Sequence, residues 1–129
     1  MNVYVGNIEK ETIENDNFRK VLFTANYSQL VVMSLKPGED IGAEVHGLDQ
    51  FIRIEQGKGK AVLDGKEYEV EDDFAMVIPA GTEHNVINTS ETEVMKLYSI
   101  YTPPEHKHGT VHATKEEAEE EHFDGETSL

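Results

Sequence analysis

The sequence predicts an all-β domain, a sandwich or barrel of antiparallel strands, with one short helix near its C-terminal end. Three observations carry this. Runs that alternate apolar and polar residues, or that are rich in β-branched residues, recur at close spacing from residue 3 to residue 101. Nearly all are bounded by Pro, Gly, Asn or Asp, the residues that set turns. Helical period is absent until Thr114-Lys115-Glu116-Glu117, where a threonine is followed three residues later by a glutamate, the signature of a helix start.

Taken in order, residues 3–5 alternate weakly, and residues 18–27 follow the turn-prone Glu14-Asn15-Asp16-Asn17; both are expected to be strands. Residues 29–35 are rich in aliphatic and β-branched side chains and stop at Lys36-Pro37-Gly38-Glu39. In residues 50–55, Gln50, Ile52 and Ile54 share one face and Phe51, Arg53 and Glu55 the other, because side chains alternate along a strand. Residues 60–63 and 66–70 flank Asp64-Gly65, a two-residue hairpin signal. Residues 75–78, 84–88 and 94–101 complete the strand set. A helix is expected over residues 115–122, with little apolar surface to dock it. The predicted division is a barrel domain over residues 1–114 and an acidic helix or tail over residues 115–129.

At 129 residues the chain is long enough for one modest core. Its longest apolar runs, such as Leu30-Val31-Val32-Met33, fall far short of a membrane span, and Met1-Asn2-Val3-Tyr4 lacks the basic and apolar regions of a secretory signal, so a cytoplasmic protein without a membrane partner is expected. The formal charge is −15, from 26 acidic and 11 basic residues, which repels a phosphate backbone and disfavours nucleic acid as partner. Residues 115–129 hold seven carboxylates and one lysine, the composition of a solvated tail. With no cysteine, thiolate metal sites and cysteine nucleophiles are excluded, and a metal site must use His, carboxylate, amide or water. No glycine-rich phosphate loop and no serine nucleophile motif are present.

Two punctuated blocks carry the chemistry. The first runs Gly38, Glu44, His46, Gln50, Gly57; the second runs Pro79-Ala80-Gly81, His84, Asn88. Glu44 and His46 are two apart and leave an extended segment on the same side. Gln50 shares the face of Ile52 and Ile54, and His84 that of Val86 and Asn88. Brought into one barrel, these donors would sit among Ile and Val, where a carboxylate needs a compensating cation.

The spacing of the two blocks resembles the two motifs of the cupin superfamily, and this resemblance implies an antiparallel jelly-roll β-barrel. The family's first motif usually supplies His, His and Glu, and its second supplies His. Here those slots hold Glu44, His46, Gln50 and His84. The carboxylate has moved, and the ligand set still carries a single negative charge. The resemblance implies that Glu44, His46 and His84 hold one divalent transition metal, Fe, Mn, Ni, Co or Zn, with Gln50 as a fourth ligand or a hydrogen-bonding neighbour. The glycine that opens the family's second motif is replaced by Asp73, which leaves the tightness of that turn open. The resemblance also implies a metal-dependent enzyme on a small chelating metabolite, of dioxygenase, isomerase or decarboxylase type. Its alternative is a non-catalytic sugar or metabolite binder.

The remaining candidates are weaker. His106, His108 and His112 follow Pro103-Pro104-Glu105 and read mainly as a solvated loop, with a cover over the barrel mouth or a separate metal site as alternatives. His122 lies among glutamates and carries no expected role. Tyr98 and Tyr101 fall on opposite faces of one strand, so at most one reaches the interior. Arg53 reads as a surface or subunit-contact residue. A homodimer is expected, with Phe51 and the N-terminal strands as contacts, because small jelly-roll domains expose sheet edges and apolar sheet faces.

Overall fold

In the computed structural model, which describes residues 2–120, two antiparallel sheets enclose one core. The strands are β1 (Arg19–Thr24), β2 (Gln29–Leu35), β3 (Asp49–Gln56), β4 (Gly59–Leu63), β5 (Lys66–Val70), β6 (Ala75–Ile78), β7 (His84–Asn88), β8 (Met95–Thr102) and β9 (Val111–His112). The larger sheet has the order β6-β3-β8-β2-β1-β9 and the smaller β5-β4-β7. Residues 38–44 run alongside β7: Ile41 N donates to Val86 O and Glu44 N to His84 O, each at close to 3 Å (3.0 and 2.9 Å). This is the jelly-roll barrel that the family resemblance implied.

Alternation decides what faces inward. On the large sheet Val31, Met33, Leu35, Ile52, Ile54 and Leu97 are wholly buried, and Ala61 and Val86 oppose them from the small sheet. Each buried Ile, Leu or Met adds about 1.5–3 kcal/mol through removal of apolar surface from water. Register then creates a gradient along the interior. Ile54, Leu97 and Met33 lie in one cross-strand row, Ile52, Ser99 and Val31 in the next, and Gln50, Tyr101 and Gln29 in the third. One end of the barrel is therefore a packed apolar plug, and the other is lined by polar groups.

The Asp64-Gly65 hairpin forms as read, with both residues at positive φ (48° and 81°), the conformation that matches strand twist in a two-residue turn. Asp73 also takes positive φ, 72°, which aspartate tolerates better than most side chains. Its amide donates to Ile54 O at 2.8 Å and its carboxylate meets Arg53 Nη2 at 3.0 Å. The turn is therefore held where a glycine would be expected. Arg53 also pairs with Glu55 at 2.8 Å and stays on the outer face.

Two expectations fail at the N-terminus. Residues 3–5 form no strand; Val3 and Val5 are exposed, and the Tyr4 hydroxyl donates to the Glu11 carboxylate. A helix that the sequence reading missed, α1 (Ile8–Glu14), packs on the outer face of β2, β3 and β8. It has no apolar stripe to reveal it. Its buried residue is Thr12, whose hydroxyl donates to Ile8 O at 2.7 Å, and Asn7 caps it by accepting from Lys10 N at 3.0 Å. Buried Lys96 on β8 clamps the helix end by donating to Asn15 O and to Asp16 Oδ1 at 3.0 Å. Helix is thus not confined mainly to the C-terminal region.

At the other end α2 (Lys115–Glu120) forms with the expected reciprocal cap: Glu117 N donates to Thr114 Oγ1 and Thr114 N to Glu117 Oε2, both at 3.2 Å. Ala118 packs against the core, so this helix does dock. The expected extension to residue 122, His122 itself and the tail over residues 121–129 lie outside the described residues.

Candidate metal centre

The polar mouth is assembled by backbone pairing of the two blocks. Glu44 and His84 form a bridge in which each amide donates to the other's carbonyl at 2.9 Å, and Gly81 N donates to His46 O at 2.9 Å. The Pro79-Ala80-Gly81 turn is steadied by Ala80 N donating to Asp49 Oδ1 at 2.9 Å. These contacts bring the His46 and His84 rings to 5.2 Å between centroids and place Glu44 Oε2 at 2.7 Å from His46 Nε2. Gln50, in the polar row, is 4% exposed.

His84 and Gln50 each have one polar atom tied down and another left for the interior, while both ring nitrogens of His46 meet carboxylates. His84 Nδ1 lies 2.9 Å from Thr82 O, which assigns the proton to Nδ1 and leaves a lone pair on Nε2. Gln50 Nε2 donates to Ser99 Oγ at 3.2 Å, while its Oε1 is buried with no hydrogen-bond partner among the described residues. His46 Nδ1 meets Glu105 Oε2 at 3.2 Å. Anchored outer atoms of this kind are how proteins orient metal ligands.

The site's own cation is His46. Burial pulls its ring down, but hydrogen bonds to Glu105 and Glu44 and their charges outweigh burial and push it up to about 9. Burial raises Glu44, yet the hydrogen bond and charge of His46, with Arg19 and His84, hold its carboxyl below the usual range. Among the described residues no group of three or more His, Asp or Glu is drawn closely enough together to hold a metal ion. The donor chemistry nonetheless fits one. A divalent ion replacing the His46 Nε2 proton would compensate Glu44 and give the orphaned Gln50 oxygen a partner.

Several neighbours were not singled out in the sequence. Gln29 is 1% exposed; its Nε2 donates to His106 O at 2.7 Å and its Oε1 accepts from His106 N at 2.9 Å and Glu105 N at 3.2 Å. It thereby holds the segment that carries Glu105. Arg19 is buried at the start of β1, opposite Met33 and His112. Parity with Val31 and with Val21 points Gln29 and Arg19 inward, a readable cue; Glu105, on an irregular loop, offers none.

Tyr101 is the tyrosine that reaches the interior, edge-on to His46 at 6.1 Å and to His106 at 5.2 Å. Burial first, then Glu44 and Glu105, raise its hydroxyl despite Arg19. The solvated-loop reading fails for His106 and His112, which are buried, and holds for exposed His108. Burial, with the charges of Arg19, His46 and His112, pushes His106 down to about 2. Asn88 has a structural role: its amide donates to Leu35 O, Lys36 O and Glu93 O at 2.8–3.1 Å and its oxygen accepts from Ser90 N at 3.0 Å.

Comparison with known proteins agrees with the fold. The uncharacterised protein YrkC of Bacillus subtilis (strain 168) is 52% identical over 123 residues, 89% of this chain; the chain spans 65% of the length of that relative. Protein L612 of Acanthamoeba polyphaga mimivirus is 46% identical over 114 residues, covering 84% of this chain and 71% of its own. The crystal structure of BH2720 from Bacillus halodurans superposes with a TM-score of 0.89 at 49% identity, covering 92% of this chain and 94% of that one. The Cupin domain model matches residues 31–101, which contain both blocks and the strands that frame them. The chain belongs to the cupin family.

Proposed function

We propose that this cupin binds one divalent transition metal through Glu44, His46 and His84, with the Gln50 amide oxygen as fourth donor, and acts as a metal-dependent enzyme on a small chelating metabolite. The observation that carries the reading is the Gln50 oxygen, buried with no hydrogen-bond partner among the described residues while the amide nitrogen of the same side chain is tied by Ser99, in a mouth where Thr82 and Glu105 tie the outer nitrogens of His84 and His46. Such a metal supplies Lewis acidity and a template for two substrate atoms. Glu105 holds the His46 ring in place, Gln29 holds Glu105, and the Tyr101 and His106 rings wall the site from water. Dioxygenase, isomerase and decarboxylase chemistry are all compatible with this arrangement, and fold alone does not choose among them. The working compartment proposed is the cytoplasm; no described helix is long and apolar enough to cross a membrane.

One observation favours the second reading, a non-catalytic sugar or metabolite binder. The His46 imidazolium already pairs with both Glu44 and Glu105, so Glu44 has a cationic partner without a metal. Elemental analysis of protein purified without added metal separates the two. One equivalent of metal in the wild type and none in His46→Ala or His84→Ala is expected. Full metal in both variants, or none in the wild type, removes the first reading.

We infer further that the chain is a homodimer. Val77, Phe51, Ile100, Leu30 and Phe23 are successive cross-strand partners on the outer face of the large sheet, an apolar row five strands wide with Val77 74% exposed. A second copy covering this row is the occupant proposed.

A further inference from the structure

We propose that Arg19 is the anchor for the carboxylate of the molecule that enters this barrel, so that the ligand is a small monoanionic organic acid. The inference rests on reading the mouth as a ligand site and names the class of ligand. Arg19 is 6% exposed, and its Nε is buried with no hydrogen-bond partner among the described residues. A buried guanidinium is costly unless an acceptor meets it, and its planar fork matches a carboxylate.

The nearby carboxylates do not serve as that acceptor. Glu44 and Glu105 both pair with His46, at 2.7 and 3.2 Å, and among the described residues neither forms an ion pair with Arg19. Arg19 instead has its Cζ 5.3 Å from the Phe18 ring centroid, a contact that steadies the guanidinium plane and satisfies none of its donors. On the backbone Arg19 pairs with Met33, in the apolar row, and its link to the polar mouth is the cavity that it lines together with Glu44.

This cavity, of about 270 Å³, is lined by Arg19, Ile41, Gly42, Glu44, Lys115 and Glu119 among others, and so adjoins the mouth on the side of Glu44. Its size suits a ligand of a few heavy atoms rather than a sugar chain. Charge narrows the class further. Lys115 is engaged by Asp40 and lies 3.9 Å from Glu119, which leaves the Arg19 guanidinium as the cation lining this cavity with no described acidic partner. One uncommitted positive charge beside the carboxylate of Glu44 matches one negative charge, and a dianion such as phosphate meets more repulsion than attraction.

The test titrates pyruvate, lactate and glycolate, each beside its neutral amide (pyruvamide, lactamide, glycolamide), and inorganic phosphate, into the full chain with and without Co²⁺, by calorimetry. At least one acid binds while its amide does not, and Arg19→Gln weakens that acid by about 10-fold or more, as loss of a charge-assisted hydrogen bond implies. Arg19→Lys, which keeps the charge, falls between them and serves where Arg19→Gln does not fold by circular dichroism. Affinity for Co²⁺ alone does not fall in either variant, as for a residue that holds ligand and not metal. Acid binding that is equal in wild type and variants, no acid binding to the folded wild type, or tighter Arg19-dependent binding of phosphate each overturns the assignment. Absence of Co²⁺ binding with Arg19-dependent acid binding retained overturns the metal reading and supports the anchor.

Discussion

Gln29 grips the backbone of His106 from both sides, its amide nitrogen donating to the carbonyl and its oxygen accepting from the amide, at 2.7 and 2.9 Å. The same oxygen takes the Glu105 amide, and Glu105 in turn holds His46. One side chain on β2 thus sets the position of a loop more than seventy residues away in sequence. Gln29→Leu keeps similar bulk and strands three buried backbone groups, each costing about 1–3 kcal/mol. The variant is expected to lose about 3 kcal/mol or more in urea unfolding and to bind metal more weakly, because His46 loses its outer restraint. Unchanged unfolding would show that this loop is held by other contacts.

His46 gives the metal-free protein a pH dependence of definite sign. Its ring is raised from 6.5 to about 9 in the fold, so the folded state holds a proton that the unfolded chain releases earlier. The stabilisation is full below about pH 6.5 and disappears as pH rises through about 9. Thermal melting of metal-free wild type should fall between pH 7 and pH 10, and His46→Gln should be flatter over that window. Since a metal on Nε2 displaces this proton, apparent metal affinity should rise about tenfold per pH unit below about 9. A wild-type melting point that climbs across the window contradicts the charge assigned to His46.

Glu44 and Gln50 can be exchanged to test the moved carboxylate. Gln50→Glu would set two carboxylates on one cation and strengthen hard metals such as Mn²⁺ relative to softer ones. Glu44→Gln would leave a neutral ligand set with much weaker affinity, and the double exchange should recover part of it. Competition titration reads all three; equal affinities would mean that neither side chain reaches the metal.

The outer apolar row predicts dimerisation. Light scattering at micromolar concentration should give twice the chain mass for wild type, and Ile100→Asp, at the centre of the row, should shift it to monomer without changing metal content. A monomeric wild type removes this expectation.

How much of this was legible beforehand follows from where each signal resides. Runs of aliphatic and β-branched residues located β2, β6 and β7 to the residue, because turn residues end them. That Glu44, His46 and His84 come together was legible from the spacing of the two blocks, which pair through their backbones. The helix over Ile8–Glu14 was not, because it is buried through a threonine and pinned by the distant Lys96. Glu105 was invisible for a related reason: what aims it is a tertiary hydrogen bond from Gln29, and local sequence carries no trace of that.

Asn88 closes the second block, yet its side chain spends every hydrogen bond on backbone, tying together the end of β2, the start of the following loop and the approach to β8. Half of what makes this chain recognisable is therefore a frame and not a reagent. Glu44 and Gln50 can stand where other donors would without loosening that frame, since neither is among the groups that hold it. A barrel of this build separates the part that keeps its shape from the part that selects its chemistry, and new ligand sets can be installed at the mouth while the knot at Asn88 stays tied.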